Sequence, residues 1–178
     1  TFTEFAKPTT AGKQVPVRIT EVCESALLLV RSQFSDDVET IEIQQMFSPD
    51  IPLVMGDEGQ LRRAFVAIIH NAFEAMLLRP EPPSEGKHVL RLSARPHVEE
   101  GHRFVAVLIE DTGRGIPEKH LARIFEPGFT TKIEKGTVRG LGMGLFSAYG
   151  IIDTHGGEIN IESEVDRGTK VVVTLSAL

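Results

Sequence analysis

Apolar residues recur at helical spacing along three stretches of the chain. The longest, 57–78, predicts a helix with one face buried in the core. Its apolar positions are Leu61, Phe65, Ile68, Ile69, Ala72, Phe73 and Met76. The stretch 21–33 has the same spacing, and Thr20 before it is predicted to cap the helix. A third helix is predicted over 142–155, where two consecutive glycines follow it.

Apolar and polar residues alternate elsewhere, which predicts strands. These stretches are 15–19, 38–47, 88–96, 103–111, 158–164 and 169–176. A short segment, 52–55, is predicted to pair with 38–47. Because strands and helices are grouped along the chain, the pattern favours a two-layer α/β sandwich with a mixed, mainly antiparallel sheet rather than a doubly wound one.

Composition narrows the class of protein. The chain has 178 residues and a net charge of −6, which suits one α/β domain and argues against nucleic acid as the partner. Its apolar runs are shorter than the ~18 residues that a membrane-spanning helix needs. The single cysteine, Cys23, lies among helical apolar positions, so we expect a small buried side chain in a reducing compartment.

The first residues have a different character from the rest. "TFTEFAKP" is typical of the last turn of a helix stopped by Pro8, and "TTAGKQ" after it is typical of a linker. The sequence starts at Thr1 rather than Met, so we expect a piece of a longer polypeptide. We divide it into 1–14, the end of an upstream helix with its linker, and 15–178, the folded domain.

Two polar residues stand out against this pattern. Asn71 lies beside the apolar stripe of the long predicted helix, where its amide oxygen is either solvated or a ligand for a hard cation. Asp111 ends an apolar strand and is followed by Gly113 and Gly115. This is either a plain turn or an acceptor that selects an amine such as that of adenine.

The segment between the fifth strand and the third helix is rich in loop chemistry. In "RIFEPGFTTK" two aromatics, Phe125 and Phe129, stand among polar residues, as in a hinged lid or a pinned loop. Thr130, Thr131 and Lys132 follow and are suited to phosphate oxygens. The glycines Gly136, Gly140, Gly142 and Gly144 then precede a helix start, which is either a local anion site or a flexible linker.

The order and spacing of these elements closely resemble the ATP-binding domain of sensor histidine kinases. That domain belongs to a superfamily with DNA gyrase B, Hsp-type chaperone ATPases and MutL, and the resemblance covers about residues 15–176. "IFEPGFTTK" and "HNAFEAM" look most like the nitrogen-regulation subgroup. The resemblance implies the Bergerat fold, ATP and Mg²⁺ as ligands, and transfer of the γ-phosphoryl group to a histidine.

The resemblance also implies roles for single residues. Asn71 would hold Mg²⁺ and, with Lys132, act in catalysis, whereas Asp111 would accept a hydrogen bond from the adenine amine. Residues 128–139 would form the lid. The remaining nucleotide contacts would be Gly113, Gly115, Phe125, Thr130, Thr131, Gly140, Leu141, Gly142, Met143, Gly144, Leu145 and Thr169.

Three positions depart from the family pattern. Ala67 stands where kinases often carry a second Asn and hydrolysing relatives a Glu, which disfavours a gyrase-like ATPase. Glu74 replaces a common Lys or Arg, so we expect Lys132, Arg114 or Arg139 to neutralise phosphate. Gly128 replaces an aromatic, which predicts a looser lid.

None of the six histidines is followed by Asp or Glu, as a phosphoacceptor of these kinases would be. We therefore expect the acceptor on a dimerisation hairpin outside this sequence and a response regulator downstream. We also expect a cytoplasmic location, with a parent protein that is either free in the cytoplasm or anchored in a membrane. The isolated domain is expected to be a monomer. Two alternatives stay open: a degenerate nucleotide-binding module without kinase activity, and a protein-serine kinase of the anti-sigma-factor type.

Overall fold

Helices pack on one face of a five-stranded sheet, as predicted. The computed structural model describes residues 12–79, 81–82, 86–125, 133–134, 137–138 and 144–178. The helices are α1 (Ile19–Gln33), α2 (Glu58–Leu77), α3 (Glu118–Leu121) and α4 (Gly144–Thr154), with a 3-10 turn at Val38–Thr40. The strands are β1 (Val15–Val17), β2 (Ile41–Phe47), β3 (Val54–Gly56), β4 (His88–Glu99), β5 (His102–Asp111), β6 (Ile133–Glu134), β7 (Thr137–Val138), β8 (Glu158–Glu164) and β9 (Gly168–Ser176).

The large sheet is mixed and mainly antiparallel. Its strand order is β2-β4-β5-β9-β8. Only the β2–β4 pair of this sheet is parallel, and the other neighbours run antiparallel. The α/β sandwich predicted from the sequence is therefore confirmed.

The segment 52–55 does not pair with β2, and that prediction was wrong. Val54–Gly56 instead forms a small antiparallel sheet with Val15–Val17. The two residues that follow β9 explain the choice, since Leu178 donates its backbone N–H to the carbonyl of Leu53 at 2.7 Å and Val54 forms a bridge with Ala177. These contacts between distant parts of the chain hold β3 away from β2.

Helix α2 is the central element of the helical layer and packs against α1, α4 and the sheet. The apolar stripe predicted from its sequence is buried, and Phe65 and Phe73 are fully inaccessible. Each such side chain contributes roughly 1.5–3 kcal/mol through burial. The helix that carries Asn71 is therefore firmly held by the core.

The two long helices begin in different ways. Asp57 caps α2, because its carboxylate accepts a hydrogen bond from the Gln60 N–H at 2.9 Å. Helix α1 begins at Ile19, one residue before the predicted cap Thr20, and Arg18 at its N-cap makes no side-chain capping bond. Since Ile19 is fully buried, packing rather than capping decides this helix start.

The thiol of Cys23 is buried, as expected. Burial raises its pKa far above the ordinary value, and nearby Glu24 adds to the effect, so the thiol stays protonated. Among the described residues, the longest helices are too short or too polar to cross a bilayer. The predicted helical end at 1–8 lies outside the described residues.

Candidate functional site at one end of the sheet

On four neighbouring strands, the line of side chains that faces the core ends in a polar residue. All four of these polar residues lie at the same end of the sheet. His88 precedes buried Leu90 on β4, Asp111 follows Ile109 on β5, and Thr169 precedes Val171 on β9. Strand pairing aligns Asp111 with Thr169 and Thr169 with Ser163 of β8. Because side chains alternate along a strand, these polar groups lie on the face that elsewhere forms the core.

Asp111 is the charged residue of this row and is almost fully buried, with 9% of its surface exposed. Burial raises the pKa of its carboxyl to about 7, although backbone hydrogen bonds at Gly113 and Thr169 favour the charged form. The Gly113 N–H donates to its Oδ1 at 2.8 Å. A carboxylate held in this way accepts a hydrogen bond from a ligand amine and repels a carbonyl oxygen.

The loop after Asp111 is packed between α2 and the β8–β9 turn. A Cβ on Gly113 would lie 2.7 Å from the carbonyl carbon of Ala75. A Cβ on Gly115, whose φ is +72°, would overlap the carbonyl oxygen of Glu164. The expected turn is present at Gly115, and both glycines have a packing reason that the sequence did not reveal: the loop touches a helix and a strand end where no Cβ fits.

One stripe of α2 connects the two predicted glycine segments. Ala67, Asn71 and Ala75 are spaced four residues apart and therefore share one side of the helix. A Cβ built on Gly144, the first residue of α4, would lie 4.0 Å from the Ala67 Cβ, and Gly113 lies against Ala75 at the other end. Asn71 lies between these contacts and is half-buried.

The aromatic anchor of the predicted lid packs on α4. Phe125 is half-buried, and its ring centroid lies 5.1 Å from that of Tyr149. Leu145, in the first turn of α4, packs against the core. The segment that the sequence marked as rich in loop chemistry also contains regular structure, namely α3 and a small hairpin of β6 and β7.

Several predicted site residues lie outside the described residues. They are Thr130, Thr131, Lys132, Gly140, Leu141, Gly142 and Met143. The described site therefore has four parts. They are the row of polar strand ends at His88, Asp111, Thr169 and Ser163 (the Asp111 row), the side of α2 that carries Ala67, Asn71 and Ala75 (the Asn71 stripe), the start of α4, and the Phe125 anchor.

Three residues of the site were missed by sequence analysis. Arg79 donates from Nη1 to the carbonyls of Thr112 at 3.1 Å and Gly113 at 3.4 Å. His88 places its Nδ1 3.0 Å from the Thr112 hydroxyl, and Ser163 accepts the Ile116 N–H at 2.8 Å. The sequence does contain a pattern that could have identified His88 and Ser163, since each is a polar residue at a core-facing position of an alternating strand.

The described residues suit a purine nucleotide with its metal. The buried acceptor Asp111 suits an exocyclic amine, and the Asn71 amide is a neutral oxygen donor suited to Mg²⁺. Magnesium commonly takes one or two protein ligands and completes its shell with phosphate oxygens and water. The Asn71 amide is chemically suited to be one such ligand.

Fold and site together define an α/β sandwich with a buried carboxyl group and a tightly packed glycine turn at one end of its sheet. Residues 56–178 match the family of histidine kinase-, DNA gyrase B- and HSP90-like ATPases. The chain belongs to this family. The match starts at the end of β3 and includes α2, the Asp111 row and α4.

Relatives and solved structures agree with this assignment. The chain is 32% identical to sporulation kinase E of Bacillus subtilis (strain 168), over 88% of the chain and 19% of that protein. It is 31% identical to the sensory histidine kinase/phosphatase NtrB of Rhizobium leguminosarum bv. phaseoli, over 88% of the chain and 40% of that protein. The chain thus spans less than half of either relative.

The fold is similar to that of full-length ShkA, whose structure was determined in complex with AMPPNP. The TM-score is 0.76 at 22% identity, over 99% of this chain and 34% of that one. At this level of identity the likeness shows a shared fold.

Proposed function

We propose that this chain is the ATP-binding catalytic domain of a sensor histidine kinase. The observation that carries the proposal is the Asn71 stripe, because it brings Asn71 between the Asp111 loop and the first turn of α4. Family membership and the AMPPNP complex of the structurally similar ShkA support ATP as the ligand.

In this proposal each part of the site has one task. Asp111 and Thr169 hold the adenine, Asn71 holds Mg²⁺, and the positive end of α4 faces the phosphates. The ion would neutralise phosphate charge. Lys132, which lies outside the described residues, would act on the γ-phosphate. The other residues predicted for the lid and for the second glycine segment would act with it.

The reaction is phosphoryl transfer to nitrogen. The bond from the γ-phosphorus to the β,γ-bridging oxygen breaks, a bond from phosphorus to a histidine nitrogen forms, and ADP leaves. Positioning and charge neutralisation supply most of such catalysis. Ala67 cannot activate water as a base, so transfer is favoured over hydrolysis.

The acceptor histidine would lie on a dimerisation hairpin of the parent protein, since none of the six histidines here has an acidic residue after it. A cytoplasmic response regulator would then take the phosphoryl group. The similarity to NtrB and the two motifs "HNAFEAM" and "IFEPGFTTK" support placement near the nitrogen-regulation subgroup.

The test is transfer of label from radiolabelled ATP to the parent hairpin supplied as a separate fragment. We expect transfer by the unaltered domain and none by Asn71→Asp or Asp111→Asn. Asn160→Asp and Asp50→Asn make the same chemical changes at exposed positions and serve as matched controls. Undiminished transfer by both site variants would contradict the site, and Mg-dependent ATP binding without transfer would favour a binding module.

A further inference from the structure

Ser163 joins three chain segments beside the proposed base site. Its Oγ lies 2.8 Å from the Ile116 nitrogen, 3.0 Å from the Gly168 carbonyl oxygen and 2.8 Å from the Thr169 Oγ1. The first contact closes the loop that begins at Asp111, and the other two reach the start of β9. The function proposed above gives this hydroxyl no role.

Counting protons assigns a direction to each of these bonds. A serine hydroxyl has one hydrogen and two acceptor positions. The Ile116 N–H can only donate and the Gly168 carbonyl can only accept, so Ser163 donates to Gly168 and accepts from Ile116. The third bond then requires the Thr169 hydroxyl to donate to Ser163, which satisfies all three contacts at once.

The hydrogen of Thr169 is thereby held away from its other neighbours. Thr169 pairs directly with Asp111 across β9 and β5, and both side chains are nearly buried. Because the Thr169 hydroxyl donates its hydrogen to Ser163, its oxygen can act only as an acceptor toward other groups. Ionised Asp111 likewise only accepts, so this wall contains two acceptors and no side-chain donor.

We propose that Ser163 is a specificity-determining positioning residue that fixes the Thr169 hydroxyl as an acceptor and so excludes 6-oxopurines. The inference rests on the proposed function, because it assumes that the C6 substituent of the purine, and not N1, lies against Asp111 and the Thr169 hydroxyl. A 6-amino group offers hydrogens to this wall, whereas a 6-oxo group meets two acceptors and loses its hydration unpaired. Without Ser163, Thr169 is able to turn its hydrogen toward a 6-oxo group.

The test compares ATP with ITP, which carries a 6-oxo group. Binding of each is measured by calorimetry for the unaltered domain, Ser163→Ala and Ser163→Thr at about pH 8, where Asp111 is ionised. We expect Ser163→Ala to lower the preference for ATP over ITP by about five- to twentyfold. Ser163→Thr keeps the hydroxyl, and we expect it to restore the preference.

A double-mutant cycle separates this role from a structural one. In a Thr169→Val background the hydroxyl is absent, so Ser163→Ala should leave the ATP-to-ITP ratio unchanged. If Ser163→Ala does not fold, Ser163→Cys replaces it, since a thiol is a weak donor and acceptor. We expect the same loss of preference from that variant.

Two results would overturn the inference in distinguishable ways. A parallel loss of ATP and ITP affinity in Ser163→Ala, with an unchanged ratio, would leave the proposed function in place and make Ser163 merely structural. Failure of the unaltered domain to bind either nucleotide would overturn both proposals.

Discussion

The imidazole of His155 accepts a hydrogen bond at 3.1 Å from the backbone N–H of Asp57, the residue that caps α2. Its other nitrogen, Nδ1, lies 2.7 Å from the carbonyl oxygen of Ile151 one turn earlier in α4. A carbonyl cannot donate, so Nδ1 carries the hydrogen and Nε2 accepts. The C-terminal end of α4 is thus joined to the N-terminal end of the helix that carries Asn71.

Replacing this histidine should loosen the contact between the two helices. His155→Ala leaves the Asp57 N–H without its partner, and we expect it to lower the free energy of unfolding by about 1–3 kcal/mol. Urea unfolding followed by circular dichroism measures the change. His102→Ala, at an exposed position on β5, is the control, and equal midpoints for the two variants would contradict the role of His155.

Nucleotide binding should release a proton near neutral pH. The pKa of Asp111 is raised to about 7 by burial, and an amine donor favours the ionised form, so binding lowers that pKa. We expect ATP affinity to increase from about pH 6 to about pH 8. Calorimetry in buffers of different ionisation enthalpy measures the released proton, and a binding enthalpy independent of the buffer would contradict the prediction.

The same carboxyl should destabilise the ligand-free domain at high pH. Its folded pKa of about 7 exceeds the ordinary value of 3.8, so between these values the folded state binds more protons than the unfolded state. The contribution of Asp111 to stability is therefore lost as the pH rises through this window. Asp111→Asn should be more stable than the parent at about pH 8 while losing ATP binding, and thermal unfolding across the pH range measures the difference.

Gly115 should tolerate substitution far less than another glycine of similar backbone conformation. Gly115 and Gly101 have φ values of +72° and +80°, but a Cβ at Gly101 meets nothing within 4 Å. Gly101→Ala should therefore lose only about 1–2 kcal/mol through the left-handed backbone. Gly115→Ala adds an overlap with Glu164, so its unfolding midpoint should be clearly lower, and similar midpoints would contradict the packing argument.

Arg79 should affect nucleotide binding through the loop that follows Asp111 and not by contact with the nucleotide itself. Its guanidinium donates to the Thr112 and Gly113 carbonyls, and such charge-assisted bonds hold the loop that follows Asp111. We expect Arg79→Ala to weaken ATP binding by about three- to tenfold. Arg63→Ala, on the exposed side of α2, is the control, and an equal ATP affinity of both variants would remove Arg79 from the site.

Local patterns predicted the elements well where burial is periodic. The stripe from Leu61 to Met76 defined α2, and alternation defined β4, β5, β8 and β9 within a few residues. The strand predicted over 38–47 was wrong for its first three residues, which form a 3-10 turn. Two other errors, the α1 cap at Thr20 and the partner of β3, depend on long-range contacts. The burial of Ile19 and the bond from Leu178 to Leu53 connect residues whose proximity no local pattern indicates.

The sequence predicted single residues of the site better than it predicted how those residues are arranged in space. The roles given to Asn71, Asp111 and Thr169 came from a family resemblance, and their assignment to ATP remains a proposal. Arg79 and Ser163 were missed because their importance lies in bonds to backbone groups of distant segments. Such bonds have no residue pattern of their own, although Ser163 does end the apolar series of β8 with a polar side chain.

The sequence by itself determined which faces are apolar, which strands end in a polar residue and where glycine permits a turn, because these properties depend on residue type and period. Only the tertiary structure decided that the polar ends of four strands meet in one row, and that Ala67, Asn71 and Ala75 lie between two glycine segments. Strand register and helix contact set those positions. They arise from packing among elements far apart in the chain, as the contacts of Gly113 with Ala75 and of His155 with Asp57 illustrate.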